Sequence, residues 1–502
     1  PKEWNNFYNV MIGNHINEDE LETTQPTTAF KIPAKLKQWT VFFKRDILSK
    51  LSNQQYMLIN MLEAPVLAFV LAFFVRYYKF SSSNEGEYIF RESENIPQFL
   101  FISVIVSLFL GLTVSAEEII RDQKILKREK FLNLSRGSYL LSKIGIMFLI
   151  SAFQSLLFVL IGNFILEIKG MMLPFWMILF STSCFANMLG LNISASFNSA
   201  KVIYILIPIL IIPQLLFSGV IVKFDKLNPT FSSQAGVPFI GNIMCSRWAF
   251  EALSVFQFKN NEYEELFFPY EKEMKYFNWK KDFWLEGMNN NITKAKKAIE
   301  EKDQEALKES LEILYNEVKK EQMTAKGFVF EALDQLHPER VSIEVLNDLK
   351  LDLPTLQQYY IDKFNAAREK HDQIEADFSA EEGGRAKLLA LRDEHFNMQL
   401  EEFVINKNAM YKIVEYEGEL IQKSNPIYID PIHRSFFGAH FYAPSKQLFG
   451  KSITTFSANL LVIWGMAFLL GALLFADGLK RLLEAISNTI TWAKDKLKPQ
   501  EA

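Results

Sequence analysis

Cysteine is almost missing from this chain: Cys184 and Cys245 are the only two in 502 residues. Cys184 lies inside an apolar run, so the pair does not read as a disulfide framework and says nothing of redox compartment. Histidine is scarce as well, with six in all, and the six form no metal set. His371, Asp372 and Glu375 share a helix face, as do Glu394 and His395, but neither group has the two-histidine spacing of a zinc helix. His433 and His440, in a loop with Arg434, add no ligand set. Paired carboxylates and nucleophile–base sets are lacking, so no catalytic and no metal site is expected. A net charge of -4 argues against a nucleic-acid binder, which would show a basic face. No signal peptide, internal repeat or low-complexity tract is visible. The chain opens on Pro1 rather than Met, and a longer polypeptide is expected around it.

Two fragments come close to nucleotide-binding signatures without meeting them. Phe449-Gly450-Lys451-Ser452 ends like a phosphate loop, but Ser445 stands where the earlier glycine is required and a membrane-length apolar run follows. Leu134-Ser135-Arg136-Gly137-Ser138 is loosely similar to the signature sequence of transport ATPases, yet it also leads into an apolar run. No ATPase domain is expected within these residues.

What the chain has in abundance is apolar length. The mean hydropathy of +0.04 averages strongly apolar and strongly charged stretches. A bilayer core roughly 30 Å thick needs about 20 apolar residues per helix, and six stretches qualify: about 56–78, 97–116, 139–166, 171–197, 201–223 and 452–479. The clearest, Ile203 to Val222, carries no charge, and its Pro208 and Pro213 are tolerable in a membrane bundle. Lys and Arg in the short flanks set the orientation. They crowd before the first stretch (Lys31 to Lys50), between the second and third (Arg121 to Lys143) and after the last (Lys480 to Lys498). The intervening loops are poor in them, so both termini are expected in the cytoplasm and 224–451 outside. Few ionisable residues fall mid-membrane; Glu63, beside Pro65, is the main exception.

The long outer segment changes character along its length. From Phe224 to Phe258 it is apolar and broken by Pro229, Gly236, Pro238 and Gly241, as expected of short helices dipping back toward the bilayer. From 262 to 425 it reads as helices with three apolar stripes. The first runs Ile292, Ala295, Ile299, Leu307, Leu311, Leu314 and Val318. The second opens at Pro354, a favoured first-turn residue, and runs Leu356, Tyr360, Phe364, Ala367, Ile374 and Phe378. The third, after Gly383-Gly384, runs Phe396, Leu400, Phe403, Met410, Val414 and Ile421. At the inner side, Ala34–Ser49 is amphipathic, with Trp39, Phe42 and Phe43 among basic residues, as for a helix lying in the membrane interface. The charged run Glu117–Lys130 reads as a solvated helix with internal ion pairs, or as a docking element for a cytoplasmic partner.

In order, these pieces resemble the transmembrane domain of the G subfamily of ATP-binding-cassette exporters, the pigment, sterol and multidrug half-transporters. The resemblance covers about 31–258 and 440–480. It is carried by the interfacial helix, by Asp122-Gln-Lys-Ile-Leu-Lys-Arg-Glu129 closing on Gly137-Ser138-Tyr139-Leu140-Leu141-Ser142-Lys143, by Leu216-Phe217-Ser218-Gly219-Val220-Ile221-Val222, and by Ser246-Arg247-Trp248-Ala249-Phe250-Glu251-Ala252-Leu253. It implies two copies around a central cavity lined by the second and fifth helices, each coupled to a nucleotide-binding domain that holds ATP and Mg. By position, Glu118, Arg121, Asp122, Lys127, Arg128 and Glu129 fall where the ATPase is gripped. Phe217, Val220 and Ile221 fall at the cavity's exit, the last two as its apolar plug. The outer loop departs from the family: it is far longer and lacks the family's cysteine pair.

The expectation is therefore an all-α membrane protein of six transmembrane helices with an interfacial connecting helix and a helical extracytoplasmic domain between helices 5 and 6. Its parts are 1–30, a cytoplasmic tail from an N-terminal ATPase domain; 31–223, the connecting helix and helices 1–5; and 224–261, a re-entrant segment. They continue with 262–451, the outer domain; 452–479, helix 6; and 480–502, a cytoplasmic helix. Expected partners are a second copy, a nucleotide-binding domain, membrane lipid of the cell's inner membrane and an envelope protein at the outer domain. The expected function is export of a hydrophobic or amphipathic substrate, lipid among them. The alternative is an ATP-driven tether whose outer domain recruits an envelope partner; an importer or channel ranks below both.

Overall fold

The computed structural model describes residues 6–7, 33–81, 84–129, 134–197, 199–233, 236–325, 327–431 and 436–497. An amphipathic helix α1 (Lys35–Ser52) leads into α2 (Gln54–Val75), whose start is capped by the Asn53 side chain accepting the Tyr56 N–H. Then come the hairpin β1 (Lys79–Ser81) and β2 (Asn84–Glu87), α3 (Ile96–Ser115), the charged α4 (Glu118–Glu129), α5 (Arg136–Leu166), α6 (Met172–Ser196) and α7 (Ala200–Leu216). A short α8 (Phe239–Ile243) precedes α9 (Cys245–Lys259). The inserted domain comprises α10 (Glu264–Trp279), α11 (Leu285–Glu301), α12 (Gln304–Thr324), α13 (Ile343–Ala380), α14 (Gly384–His395), α15 (Met398–Val404) and the hairpin β3 (Ile413–Tyr416) and β4 (Glu419–Gln422). A third hairpin, β5 (Ser445–Leu448) and β6 (Lys451–Thr454), runs into α16 (Thr455–Phe475) and then α17 (Gly478–Leu497).

Among the described residues five helices are long and apolar enough to cross a membrane: α2, α3 with its continuation through α4, α5, α6 and α16. The fifth apolar run is shorter than expected. Helix α7 has 17 residues, about 26 Å at 1.5 Å per residue, and the chain turns out of it at Phe217 because Gly219 takes φ +80°. Small residues let the bundle close. A Cβ at Gly111 of α3 would fall 2.6 Å from the Ser183 carbonyl of α6, so glycine there permits backbone approach. Polar side chains tie the same seam: Ser107 and Ser183 share a hydrogen bond of 2.8 Å, and Asn192 donates to the Leu470 carbonyl of α16 at 2.8 Å. By contrast, α2 leaves Leu58, Leu62, Val66, Phe69 and Phe73 exposed on one face, as a lipid-facing helix does.

The inserted domain has a core of its own, built on Trp284, Met288, Ile292, Leu311, Leu314, Leu346, Leu349 and Tyr360. Three sequence expectations are corrected here. The first stripe is two antiparallel helices, because Lys302 turns left-handed (φ 58°) and Asp303 caps α12. Pro354 lies inside the 38-residue α13, which starts at Ile343 under the Ser342 cap. The third stripe is not one helix: Met410 lies in a loop, and Val414 and Ile421 face each other across β3 and β4. Glu417 and Gly418 both have positive φ, the two-residue turn that closes such a hairpin. The fold is thus helical with three small hairpins rather than wholly α. Phe449 and Gly450, met above as a near phosphate loop, form the positive-φ tip of the third.

A buried polar network fixes this second core. A π-helical turn at Lys280–Trp284 carries the Lys280 ammonium onto Glu321, which also accepts the Tyr360 hydroxyl at 2.6 Å. The Trp284 indole N–H donates to Glu317 at 2.6 Å. A fragment spanning 262–425 is therefore expected to fold alone and melt cooperatively in circular dichroism. Glu321→Leu, which leaves Lys280 buried without its partner, should lower its stability by about 3–5 kcal/mol. A random-coil spectrum for the unmutated fragment would refute an independent fold.

Candidate functional site

The two ends of α5 define the two ends of the bundle. At its C-terminal end Tyr88 donates to the Leu166 carbonyl at 2.7 Å, and Arg76 pairs with Glu167 at 2.5 Å. There the inserted domain docks: Asn397 donates to the carbonyls of Phe90 and Ser93 at 2.7 and 2.9 Å, and Asp393 and Glu394 pair with Arg91 and Lys169 at 2.8 Å each.

At the opposite end an ionic knot joins α1, α4 and α5. Lys143 of α5 is buried and pairs with Asp46 of α1 (2.9 Å) and with Asp122 and Glu118 of α4 (2.9 and 3.1 Å). Lys50 of α1 closes the set on Glu118 at 2.5 Å, and the Tyr139 hydroxyl donates to Asp122 at 3.0 Å. The start of α4 is pinned as well, because the Ser194 hydroxyl of α6 accepts the N–H groups of Ile119 and Ile120 at 2.9 and 3.1 Å. A helix begins with unsatisfied N–H donors, and here another helix supplies the acceptor. At the same end Arg136 forms a two-pronged pair with Asp477, between α16 and α17.

The six residues expected at the ATPase grip therefore divide. Glu118 and Asp122 point inward and are consumed by the knot. Arg121, Lys127 and Arg128 are exposed; Arg121 makes a loose pair with Glu117 at 3.4 Å and lies 5.9 Å from the Tyr56 ring centroid. Glu129 ends the helix, and its side chain lies outside the described residues. Lys50, Lys143 and Asp46 escaped sequence reasoning as a site. Lys50 and Lys143 register there as topology charges, and nothing in their spacing of 93 positions shows that they meet.

At the docking end, Phe217 is half-buried, Val220 packs on the bundle core and Ile221 is exposed. The expected apolar pair thus has one inward and one outward member within a single chain. Behind it, α9 is deeply buried and carries a second ionic cluster. Glu251 accepts from Lys446 (2.7 Å), Asn459 (2.8 Å) and the Tyr442 N–H (3.1 Å), and pairs with Arg247 (3.4 Å), whose guanidinium lies 3.9 Å from the Trp248 ring centroid. Two cations share one carboxylate, and burial followed by the nearby Arg247 charge pushes the Lys446 ammonium down to about 7. The cluster binds α9, the third hairpin and α16 into one piece.

These features define a multi-pass membrane protein whose bundle carries a charged amphipathic helix clamped to one end and a helical domain docked on the other. Residues 37–258 match the protein family described as ABC-2 type transporter, so α1 to α9 are similar to the membrane domain of that family. The match takes in under half of the 502 residues and stops short of the inserted domain. No curated protein matches the chain.

Proposed function

We propose that the chain is the permease part of an ATP-binding-cassette exporter of the G-subfamily type, working with a second copy of itself and moving a hydrophobic or amphipathic substrate, lipid included, out of the inner leaflet. The observation that carries the reading is the clamped α4. Its exposed Arg121, Lys127 and Arg128 form a surface for a nucleotide-binding domain carrying ATP and Mg, while Glu118 and Asp122 lock its other face to α1 and α5. A push on that surface moves α5 as well, since the ion pairs leave α4 no independent freedom.

The basic residues gather at the end carrying α4 and α17, which makes that end cytoplasmic by the positive-inside rule. The inserted domain, docked at the other end, is then extracytoplasmic, and α7, the shortest apolar helix, is the fifth of six spans. Its Ile205, Ile209 and Ile212 are exposed on one face, and α3 exposes Ile102 and Phe109 seven residues apart on its own. These faces meet a second copy around the substrate cavity, with Val220 and Ile221 at its closing end.

Cross-linking tests the arrangement. Both native cysteines are buried, so an added thiol reports almost alone. Ile209→Cys should give a disulfide dimer on mild oxidation in membranes, whereas Phe74→Cys, on the lipid-facing α2, should give none. Equal yields from both would remove the dimer seam. The tethering reading is favoured by one observation only, the separate core of the inserted domain. Loss of the cellular task with substrate movement intact, on deletion of 262–425, would select it.

A further inference from the structure

Between the end of α7 and the inserted domain lies a cavity of about 200 Å³. Val220, Phe224, Phe403 and Phe441 give it an apolar wall, and two lysines from distant parts of the chain, Lys223 and Lys423, line it along with Asp225 and Glu402. The Lys223 ammonium donates to the Asn406 side-chain carbonyl at 2.8 Å, a neutral partner. Asn406 is itself fixed, with φ 49° and its amide donating to the Lys423 carbonyl at 3.2 Å. Among the described residues the Lys423 ammonium has no hydrogen-bond or ion-pair partner.

The carboxylates nearby do not neutralise the pair. Glu402 is taken by Lys407 at 2.5 Å, and Asp225 is exposed and acts on both lysines only at longer range. Lys226 and Lys412 add further positive field at Lys223. Burial holds both half-buried cavity lysines below the usual lysine range, and Asp225 at the cavity's rim offsets that only in part. Lysine side chains on a loop normally keep their heads in water; here two half-buried lysines line a cavity with an apolar wall.

We propose that this cavity binds the anionic head group of an amphiphile, a carboxylate or phosphate monoester on an apolar chain. Lys223 and Lys423 hold the anion, and Val220, Phe224 and Phe403 line the first methylenes. A cavity of about 200 Å³ takes a head group and the start of a chain. An inorganic ion would gain nothing from the wall, and an uncharged amphiphile nothing from the lysines. The proposal deepens the export reading, since Val220 belongs to the exit segment, but binding itself needs no ATP.

The test is titration of the purified full chain in amphipol with dodecyl phosphate, dodecanoate, dodecanol and inorganic phosphate, without nucleotide. Dodecyl phosphate and dodecanoate should bind saturably. Lys223→Met and Lys423→Met should each weaken them about tenfold or more, and Lys423→Arg should retain them. Val220→Trp, which fills the cavity without touching either lysine, should abolish binding even if the lysine variants fold poorly. Dodecanol binding as tightly as dodecyl phosphate would overturn the proposal, as would inorganic phosphate doing so or Val220→Trp binding normally. Saturable, lysine-dependent binding without ATP-dependent movement would uphold this site and defeat the export reading. Transport unchanged by Lys423→Met, with no binding detected, would do the reverse.

Discussion

Lys143→Met is expected to be the most damaging single substitution in the bundle. It leaves Asp46, Glu118 and Asp122 around a point that has lost the ammonium they share, with Lys50 still paired to Glu118. Removing one partner of a buried ion pair costs about 3–5 kcal/mol, and a lysine shared by three carboxylates lies at the upper end. The detergent-solubilised protein should lose most of its folded yield, and what survives should melt roughly 10–20 °C lower, given about 2–4 °C per kcal/mol for a domain the size of the bundle. Because the cost is uncompensated charge, the double variant Lys143→Met, Glu118→Gln should recover part of the loss, a coupling that independent sites do not show. Strictly additive losses would mean that the knot is not one electrostatic unit.

The second large effect is functional and leaves stability alone. Arg121→Glu, Lys127→Glu and Arg128→Glu combined should shift the melting midpoint little, since exposed substitutions away from special features stay within about 0.5 kcal/mol each. The same triple variant should abolish the response of ATP hydrolysis to added amphiphile in proteoliposomes, because it reverses the surface offered to the nucleotide-binding domain. Wild-type stimulation in the triple variant would separate α4 from the stroke. Destabilisation without uncoupling would reassign those side chains to the structure.

These two results draw on parts of the chain that were unequally legible. The apolar runs gave five membrane-length helices within a few residues of their observed ends, because about 20 apolar residues in a row have few other fates. The run at Ile203–Val222 misled at its far end: hydropathy is blind to backbone, and the positive φ of Gly219 ends the helix before Val220 and Ile221 are reached. In the inserted domain the apolar positions of the first stripe and the start of the second were found, Leu311, Leu314 and Tyr360 among them. The breaks were missed where a single left-handed residue such as Lys302 turns the chain. A spacing of three or four does not distinguish one helix from two in register. The third stripe failed for a related reason: Val414 and Ile421 also suit a strand, and the Glu417-Gly418 turn between them is the deciding signal.

The grip on α4 was legible as a charged helix but not as a two-faced one. Glu118 and Asp122 are four residues apart and share a face, so the place of Lys127 on nearly the opposite side follows from helical geometry, with Arg121 and Arg128 on the flank between. Which face turns inward does not. That depends on Lys50, Asp46 and Lys143 arriving from two other helices. Likewise Arg247 and Glu251 stand one turn apart in a motif singled out early, but Lys446, which completes their cluster, lies 195 positions from Glu251.

The central claim is that α4 is gripped by a nucleotide-binding domain, and site-specific photo-cross-linking in cells tests it most directly. A benzophenone side chain placed at Lys127 should cross-link to a polypeptide segment carrying an ATP-binding-cassette nucleotide-binding domain, identified by mass spectrometry, whether in the same chain or another. The same probe at Phe74 should capture lipid. Adducts at Lys127 only with lipid, or only with proteins lacking such a domain, would contradict the account.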